Sequence, residues 1–313
     1  MTHRFMAAIE VANSVQVAPA STASHVCWRD FLELTKPRVV SMMVFTVVVG
    51  MLLSSRSLPP WQPMFFGTLG IALVASAAAA INHLVDRKLD ARMARTRGRP
   101  MPRGVLGIGR VAVFAGLLCA VGTALLLVFN NALCAILTFA SLVGYALIYS
   151  VFLKHSTPQN IVIGGAAGAA PPLLGWVAMT GQVDGGALIL FLIIFVWTPP
   201  HFWALAIFRR DDYARAGVPM LPVTHGVAFT SRRILAYTVA LLPISLLPVV
   251  IGLSGALYGI CALLLGLRFI GFAWRLQSEP QLGMPTFRFS IVYLLCLFAA
   301  LLADHWLLGL GPS

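Results

Sequence analysis

Acidic side chains are scarce. The 313-residue chain has 10 Asp and Glu against 22 Lys and Arg, and charged residues make up only 10% of it. A water-soluble domain of this length needs a larger charged surface than that. Cysteine is sparse too: Cys27, Cys119, Cys134, Cys261 and Cys296. Four of the five lie in apolar runs, and no CxxC or Cys/His spacing occurs. That excludes a thiolate metal site and leaves small buried hydrophobes. No Ser/His/Asp constellation stands out, so nothing points to nucleophilic hydrolysis. Residues 1–27 lack the apolar core of a secretory signal. They read as a disordered cytoplasmic tail, with 28–313 as the transmembrane domain.

Hydrophobicity is what the chain has in excess, at 59% of residues and a mean hydropathy of +0.89. Apolar runs of about twenty residues recur, long enough to cross a bilayer. They are continuous rather than alternating, which selects helices over a barrel. The expected class is therefore all-α and polytopic. Nine spans are predicted, roughly at 38–55, 64–83, 109–129, 132–152, 159–179, 187–208, 232–252, 255–274 and 289–309. Two connections are long, 84–108 and 209–231.

A net charge of +12 would suggest nucleic acid in a soluble protein. In a membrane chain it fixes orientation instead, and no nucleic-acid partner is expected. Arg29, Lys36 and Arg38 open the first span. A basic run from Arg87 to Arg110 joins spans two and three, and Lys154 follows span four. Arg209, Arg210, Arg215, Arg232 and Arg233 join six and seven, and Arg275 and Arg288 join eight and nine. The opposite face keeps only Arg56. The N-terminus is thus predicted inside, the C-terminus outside, and both long loops on the cytoplasmic face.

Those two loops carry four of the 10 acids. Asn82, Asp86 and Asp90 recur at i, i+4 and i+8, so a helix stacks them on one face. Three oxygen-bearing side chains in a row form a cradle for a hard cation. Mg²⁺ prefers one or two carboxylates together with waters and phosphate oxygens. The alternative is a solvated helix end whose acids pair with Arg92, Arg95 or Arg97. In the second loop Asp211 and Asp212 follow Arg209 and Arg210. Adjacent like charges need something positive beside them, which a cation or these two arginines supply. Carboxylates alone repel phosphate; bridged by Mg²⁺ they bind it, while Arg and Lys neutralise the outer oxygens. A diphosphate ester with an apolar tail suits this setting, head at the loops and tail between helices. If the tail is a prenyl group, ionisation leaves an allylic cation, which a dry aromatic pocket shelters. Tyr145, Tyr149, Phe202 and Trp203 are candidates for that pocket, with ordinary helix packing as the alternative.

NHLVDRKLD at 82–90, followed by RTRGRP at 95–100, resembles the first aspartate-rich motif of the intramembrane UbiA-type prenyltransferases, typified by 4-hydroxybenzoate polyprenyltransferase. LTKPRVV at 34–40, the stretch from Ser156 to Gly181, WTPPHFWALAI at 197–207 and DDYARAGVPMLPV at 211–223 are similar to the haem-farnesylating branch, the protohaem IX farnesyltransferase (haem O synthase) family. The likeness covers about residues 30–310. It implies nine helices around a central cavity open to the cytoplasmic side. It also implies Mg²⁺-dependent transfer of farnesyl from farnesyl diphosphate to a vinyl group of haem B, with water added, giving haem O for terminal oxidases. By position, Asn82, Asp86 and Asp90 hold Mg²⁺ and diphosphate in this scheme. Asp211 and Asp212 serve a second metal or orient the first. Arg95, Arg97, Arg99 and Lys154 are candidates for diphosphate contacts, with Arg209, Arg210 and Tyr213 also in the substrate site. His201 is either a buried, hydrogen-bonded residue or a contact for haem, through iron or propionate. The wider superfamily often spaces its second motif DxxxD; here Arg215 and Ala216 stand four residues after Asp211 and Asp212, and the adjacent pair replaces that spacing. The implied setting is a cell inner membrane, with haem A synthase or oxidase assembly proteins as partners.

Three other readings remain at this level: a prenyltransferase for an aromatic or quinone precursor, a transporter of an anionic metabolite, and a noncatalytic assembly factor. Transporters place their charges near the midplane. The acids here cluster at one face, which favours chemistry at an interface.

Overall fold

Backbone groups in hydrocarbon have no water to bond, and every long apolar run of this chain is helical. The computed structural model describes residues 26–55, 57–93, 96–153 and 156–307. A short α1 (Trp28–Leu34) leads into α2 (Pro37–Leu53). Then come α3 (Trp61–Arg92), α4 (Ile108–Phe129) and α5 (Ala132–Val143), which continues directly as a π-helix (Gly144–Leu153). They are followed by α6 (Asn160–Thr180), α7 (Gly185–Phe208), the short α8 (Arg210–Arg215) and α9 (Leu221–Thr224), and α10 (Val227–Val250). After α11 (Ala256–Arg275), a 3₁₀ turn (Pro280–Leu282) feeds α12 (Gly283–Leu307). Among the described residues there is no strand. By length and composition, 8 of the described helices can each cross a membrane, and α1 with α2, bent by 54°, makes up to 9. The predicted tail at 1–27 lies almost wholly outside the described residues.

Three boundaries differ from the sequence expectation, each for a physical reason. The second span was placed at 64–83, but α3 runs 32 residues to Arg92. That is about 48 Å at 1.5 Å per residue, against a hydrocarbon core of about 30 Å. Its surplus turns therefore stand at the membrane rim, and they carry Asn82, Asp86 and Asp90 as helix rather than loop. Helix α10 begins at Val227 rather than 232, directly after Gly226, whose φ of 81° turns the chain into it. Helix α12 starts at Gly283 rather than 289 because the 3₁₀ turn delivers the chain already wound. Helix α1 was not foreseen: Phe31 meets Phe114 edge-on with centroids 5.1 Å apart, and Leu34 packs beside Ala80 and Val111.

Small residues let the helices touch backbone to backbone. On α2, a Cβ added at Gly50 would lie 2.0 Å from the Pro172 carbonyl oxygen of α6, and one at Gly175 would lie 2.1 Å from that of Val47. At the end remote from the acidic loops, two carboxylates serve the frame. Asp184 caps α7 through the Ala187 amide, 3.1 Å, and accepts the Trp176 indole N–H, 2.9 Å. Asp304, fully buried, accepts the Ser254 hydroxyl at 2.6 Å and the Gly255 amide at the start of α11.

The α2–α6 crossing yields a direct test. Gly175→Ala is expected to cost about 1–3 kcal/mol, the range for overpacking a filled contact. Its unfolding midpoint in mixed detergent, compared with wild type, measures this; an unchanged midpoint means the helices separate without penalty.

Candidate active site

The last turns of α3 bring Asn82, Asp86 and Asp90 onto one face, each only 4% exposed. Burial of such groups is costly unless they find partners, and here Lys36, Ser150 and Arg99 supply them from outside α3. The Asn82 amide donates to Asp86 Oδ2 at 2.9 Å and to Ser150 Oγ at 3.0 Å, while its carbonyl oxygen accepts from Lys36 Nζ. Arg99 Nη1 donates to Asp90 Oδ2 at 2.7 Å. Among the described residues Arg99 pairs with an acid of this motif and Arg97 is exposed; the Arg92 side chain and Arg95 lie outside the described residues. The turns after α3 explain the reach of Arg99: Thr96 bonds back to the Asp90 carbonyl at 2.9 Å, and the chain from 96 to 105 winds tightly on itself.

Two of these partners were not singled out by sequence. Lys36 precedes Pro37, which disfavours the right-handed helical region, and it adopts the left-handed one, φ 51°. That geometry starts α2 and turns the lysine toward α3. Ser150 lies in the π-helix, fully buried, its hydroxyl bonded to the Tyr145 carbonyl at 2.9 Å. Such widened turns concentrate at functional sites, but no pattern of apolar residues announces one.

The second loop is built differently. Asp212 accepts from Arg215 at 2.6 Å and from Arg209 at 3.4 Å, all three at least partly exposed. Arg215 fills the place expected of Arg210, because three residues along a helix bring it onto the same side. Asp211 and Arg210 are exposed. The two loops share one apolar cluster: Leu89 and Met93 from the end of α3 pack with Trp203, Ala216, Val218 and Met220, with Tyr213 at the edge. Among the described residues, no three His, Cys, Asp or Glu converge tightly enough to share one metal ion. Lys154 is outside the described residues.

Behind this rim, α2, α3, α5 with its π extension, α6, α7 and α12 enclose a cavity of about 520 Å³. Lys36 and Arg38 stand among its lining, as do Tyr145, Tyr149, Phe202 and His201. Trp203 does not; it packs edge-on against Tyr237 on the far side of α7, centroids 5.4 Å apart. Most of the wall is aliphatic. Two of its hydroxyls turn back on their own helices, Thr198 to the Ile194 carbonyl at 2.7 Å and Thr46 to that of Met43 at 2.9 Å, and Ser141 reaches the Ala167 carbonyl of α6 at 3.4 Å. The interior therefore offers an apolar chain little to desolvate. His201, 9% exposed, stacks on Trp197 with centroids 4.2 Å apart and bonds through Nδ1 to Ser290 Oγ at 2.7 Å.

A ring of membrane-length helices around an apolar cavity, with acids and cations gathered at one rim, defines an intramembrane prenyltransferase architecture. Residues 43–302 match the UbiA prenyltransferase family, and the chain belongs to it. Among its relatives, the protoheme IX farnesyltransferase of Azotobacter vinelandii is 58% identical over 290 residues, 92% of this chain and 97% of that one. The protoheme IX farnesyltransferase of Ectopseudomonas mendocina is 57% identical over 288 residues, 91% of this chain and 96% of that one. Solved structures share the fold at lower identity. A digeranylgeranylglyceryl phosphate synthase superposes with a TM-score of 0.76 at 20% identity, covering 89% of this chain and 98% of that one. A UbiA homolog from Archaeoglobus fulgidus, bound to DMAPP and Mg²⁺, gives 0.59 at 14% identity, covering 87% and 99%.

Asn82 answers Lys36, Asp86 and Ser150 at once. Asn82→Ala should therefore cost about 1–3 kcal/mol, the penalty for leaving buried partners unmet. Detergent-induced unfolding of the purified protein reads this; wild-type stability in the variant would show that the network carries no weight.

Proposed function

We propose that this protein transfers a farnesyl group from farnesyl diphosphate to a vinyl group of haem B, with addition of water, giving haem O and diphosphate. The observation that carries the reading is the buried Asn82–Asp86–Asp90 face, paired with Arg99 and joined through Lys36 to an apolar cavity that Lys36 lines. The residues fit Mg²⁺. They are hard oxygen donors, few in carboxylates, as suits a magnesium–diphosphate site that draws its remaining ligands from water and phosphate. An ammonium already sits against the Asn82 oxygen, so the face is shaped for positive charge. Asn82, Asp86 and Asp90 would hold the ion, with Asp211 and Asp212 serving a second ion or orienting the first. Bound Mg²⁺ supplies Lewis acidity toward the diphosphate oxygens.

The chain's own residues do the rest. Arg99, Arg97 and Lys36 meet the charge that grows on the diphosphate as the farnesyl C1–O bond breaks; Arg209 and Arg210 extend this basic rim, with Tyr213 beside it, and Arg95 and Lys154 are further candidates by sequence. The bond's electron pair leaves with the diphosphate. Tyr145 and Tyr149, which line the cavity, offer π density to the allylic cation, and the aliphatic wall excludes water from it. The terminal vinyl carbon of the porphyrin bonds to C1, and positive charge passes to the carbon beside the macrocycle, which delocalises it. Water adds there and loses a proton.

The protein is an integral membrane protein. Its basic loops lie with the N-terminus on the inner side of a cell inner membrane and the C-terminus outside. Residues 28–313 form the catalytic domain, preceded by a cytoplasmic tail. Haem A synthase or oxidase assembly proteins take the product onward.

Asp86→Asn and Asp90→Asn should each lower haem O formation by about 10²–10³-fold, the scale of one lost electrostatic contact in a transition state. EDTA should abolish activity and added Mg²⁺ restore it. Chromatography of haems extracted after incubating the purified protein with farnesyl diphosphate and haem B reads all three, with 4-hydroxybenzoate as the competing acceptor. Prenylation of the benzoate instead, or full activity in Asp86→Asn, would sink the reading.

A further inference from the structure

His201 is held more tightly than packing of an apolar helix requires. Its ring lies between Trp197, at 4.2 Å and 21°, and Phe287, at 4.6 Å and 31°, with Phe202 edge-on at 5.0 Å. Nδ1 stands 2.7 Å from Ser290 Oγ. The Ser290 hydroxyl in turn donates to the Phe287 carbonyl at 2.6 Å. A hydroxyl has one hydrogen and a carbonyl only accepts, so Ser290 Oγ must accept from Nδ1. The proton of the neutral ring therefore sits on Nδ1, and its lone pair on Nε2. Ser290 is itself fixed from a second direction, since the Trp197 indole N–H donates to its carbonyl at 2.8 Å, and it is fully buried. Both faces of the imidazole are covered and one edge is bonded. The remaining edge carries Nε2, and His201 lines the cavity.

We propose that His201 ligates the iron of the porphyrin acceptor through Nε2, and that Ser290 is the positioning residue that keeps this nitrogen unprotonated. The proposal rests on the acceptor being haem B. Chemistry decides between iron and propionate as the partner. A propionate is an anion and needs a donor, which Nε2 in this tautomer is not. Iron takes the lone pair of a neutral imidazole. An outer hydrogen bond to the other ring nitrogen is the arrangement that fixes tautomer and orientation in metal-binding histidines. Only a reversible coordination bond forms, so no oxidant or reductant is needed. The bond pins the macrocycle beside the wall, with its vinyl edge free to meet the farnesyl carbon.

Two porphyrins separate iron from propionate. Full-length wild type, His201→Gln and Ser290→Ala are titrated in detergent with haem B and with metal-free protoporphyrin IX, without farnesyl diphosphate. Wild type should bind haem B with the absorption and electron-spin signature of imidazole ligation. His201→Gln should lose that signature and about tenfold or more in haem B affinity, with protoporphyrin IX binding unchanged. Ser290→Ala should alter the signature and weaken haem B about tenfold, again sparing the metal-free ring. Equal weakening of both porphyrins in His201→Gln would overturn iron ligation in favour of a propionate or packing contact. An unaltered signature in that variant would place the iron ligand elsewhere and overturn it too. Wild-type protein that binds neither porphyrin would instead overturn the haem acceptor reading on which the proposal stands.

Discussion

Buried carboxylates at a membrane rim are the constraint around which this structure is organised. Asp86 and Asp90 end a helix that outruns the bilayer, and both are nearly sealed from water. An uncompensated buried charge costs about 3–5 kcal/mol. The chain meets this with Arg99 on Asp90 and Lys36 on Asn82. Holding Lys36 in the left-handed region costs about 1–3 kcal/mol, less than the charge it helps to answer. The π-helix follows the same logic, since it seats Ser150 against the Asn82 amide. Local backbone irregularity at this end is thus accounted for by electrostatics rather than by loose packing.

The two acidic motifs divide the work between a fixed part and an exchangeable part. On α3 the acids are buried; Asn82 of the same helix meets Asp86, and Arg99 of the turns after it meets Asp90. In α8, Asp212 is bridged by Arg209 and Arg215 in the open. Exposed ion pairs contribute about 0–1 kcal/mol, so these arginines can part from the carboxylate at little cost. The shared cluster of Leu89, Met93, Val218 and Met220 holds the two loops at the same rim. The adjacent Asp pair, in place of a DxxxD spacing, fits this role, because a one-turn helix can present Asp211 outward while Asp212 stays paired.

Much of this was legible in the residue order. Nine apolar runs announced the spans, because transfer into lipid depends on composition over about twenty residues and not on detail. The i, i+4, i+8 spacing announced the acidic face, because helix geometry fixes it. The missing pieces lie where tertiary contact overrides local pattern. Nothing in LTKPRVV shows that Lys36 reaches across to Asn82, 46 positions later; the pre-proline site gave only the backbone hint. Ser150 and Ser290 are ordinary serines in apolar sequence, and their importance arises from what folds against them. Helix α3 was ended too early because charged residues lower hydropathy even where the helix continues. Trp203 could not be told from Phe202 by type, since one position along α7 rotates a side chain about 100° away from the cavity.

The contrast between the two membrane ends also bears on what the cavity is for. At one rim stand Lys36, Arg99 and four acids in two loops; at the other, Asp184 and Asp304 are engaged in capping helices. A path across the membrane for an anion would need polar or charged stepping points between those ends. The wall instead is mostly aliphatic, with Thr198 and Thr46 bonded back to their own helices and Tyr145, Tyr149 and His201 among its larger polar side chains. Such a mostly aliphatic chamber stabilises an oily tail and offers an anion few places to bind. The head of an amphiphile is thus retained where the acids and cations lie, and the interior serves to hold the tail and keep water from whatever forms when head and tail part.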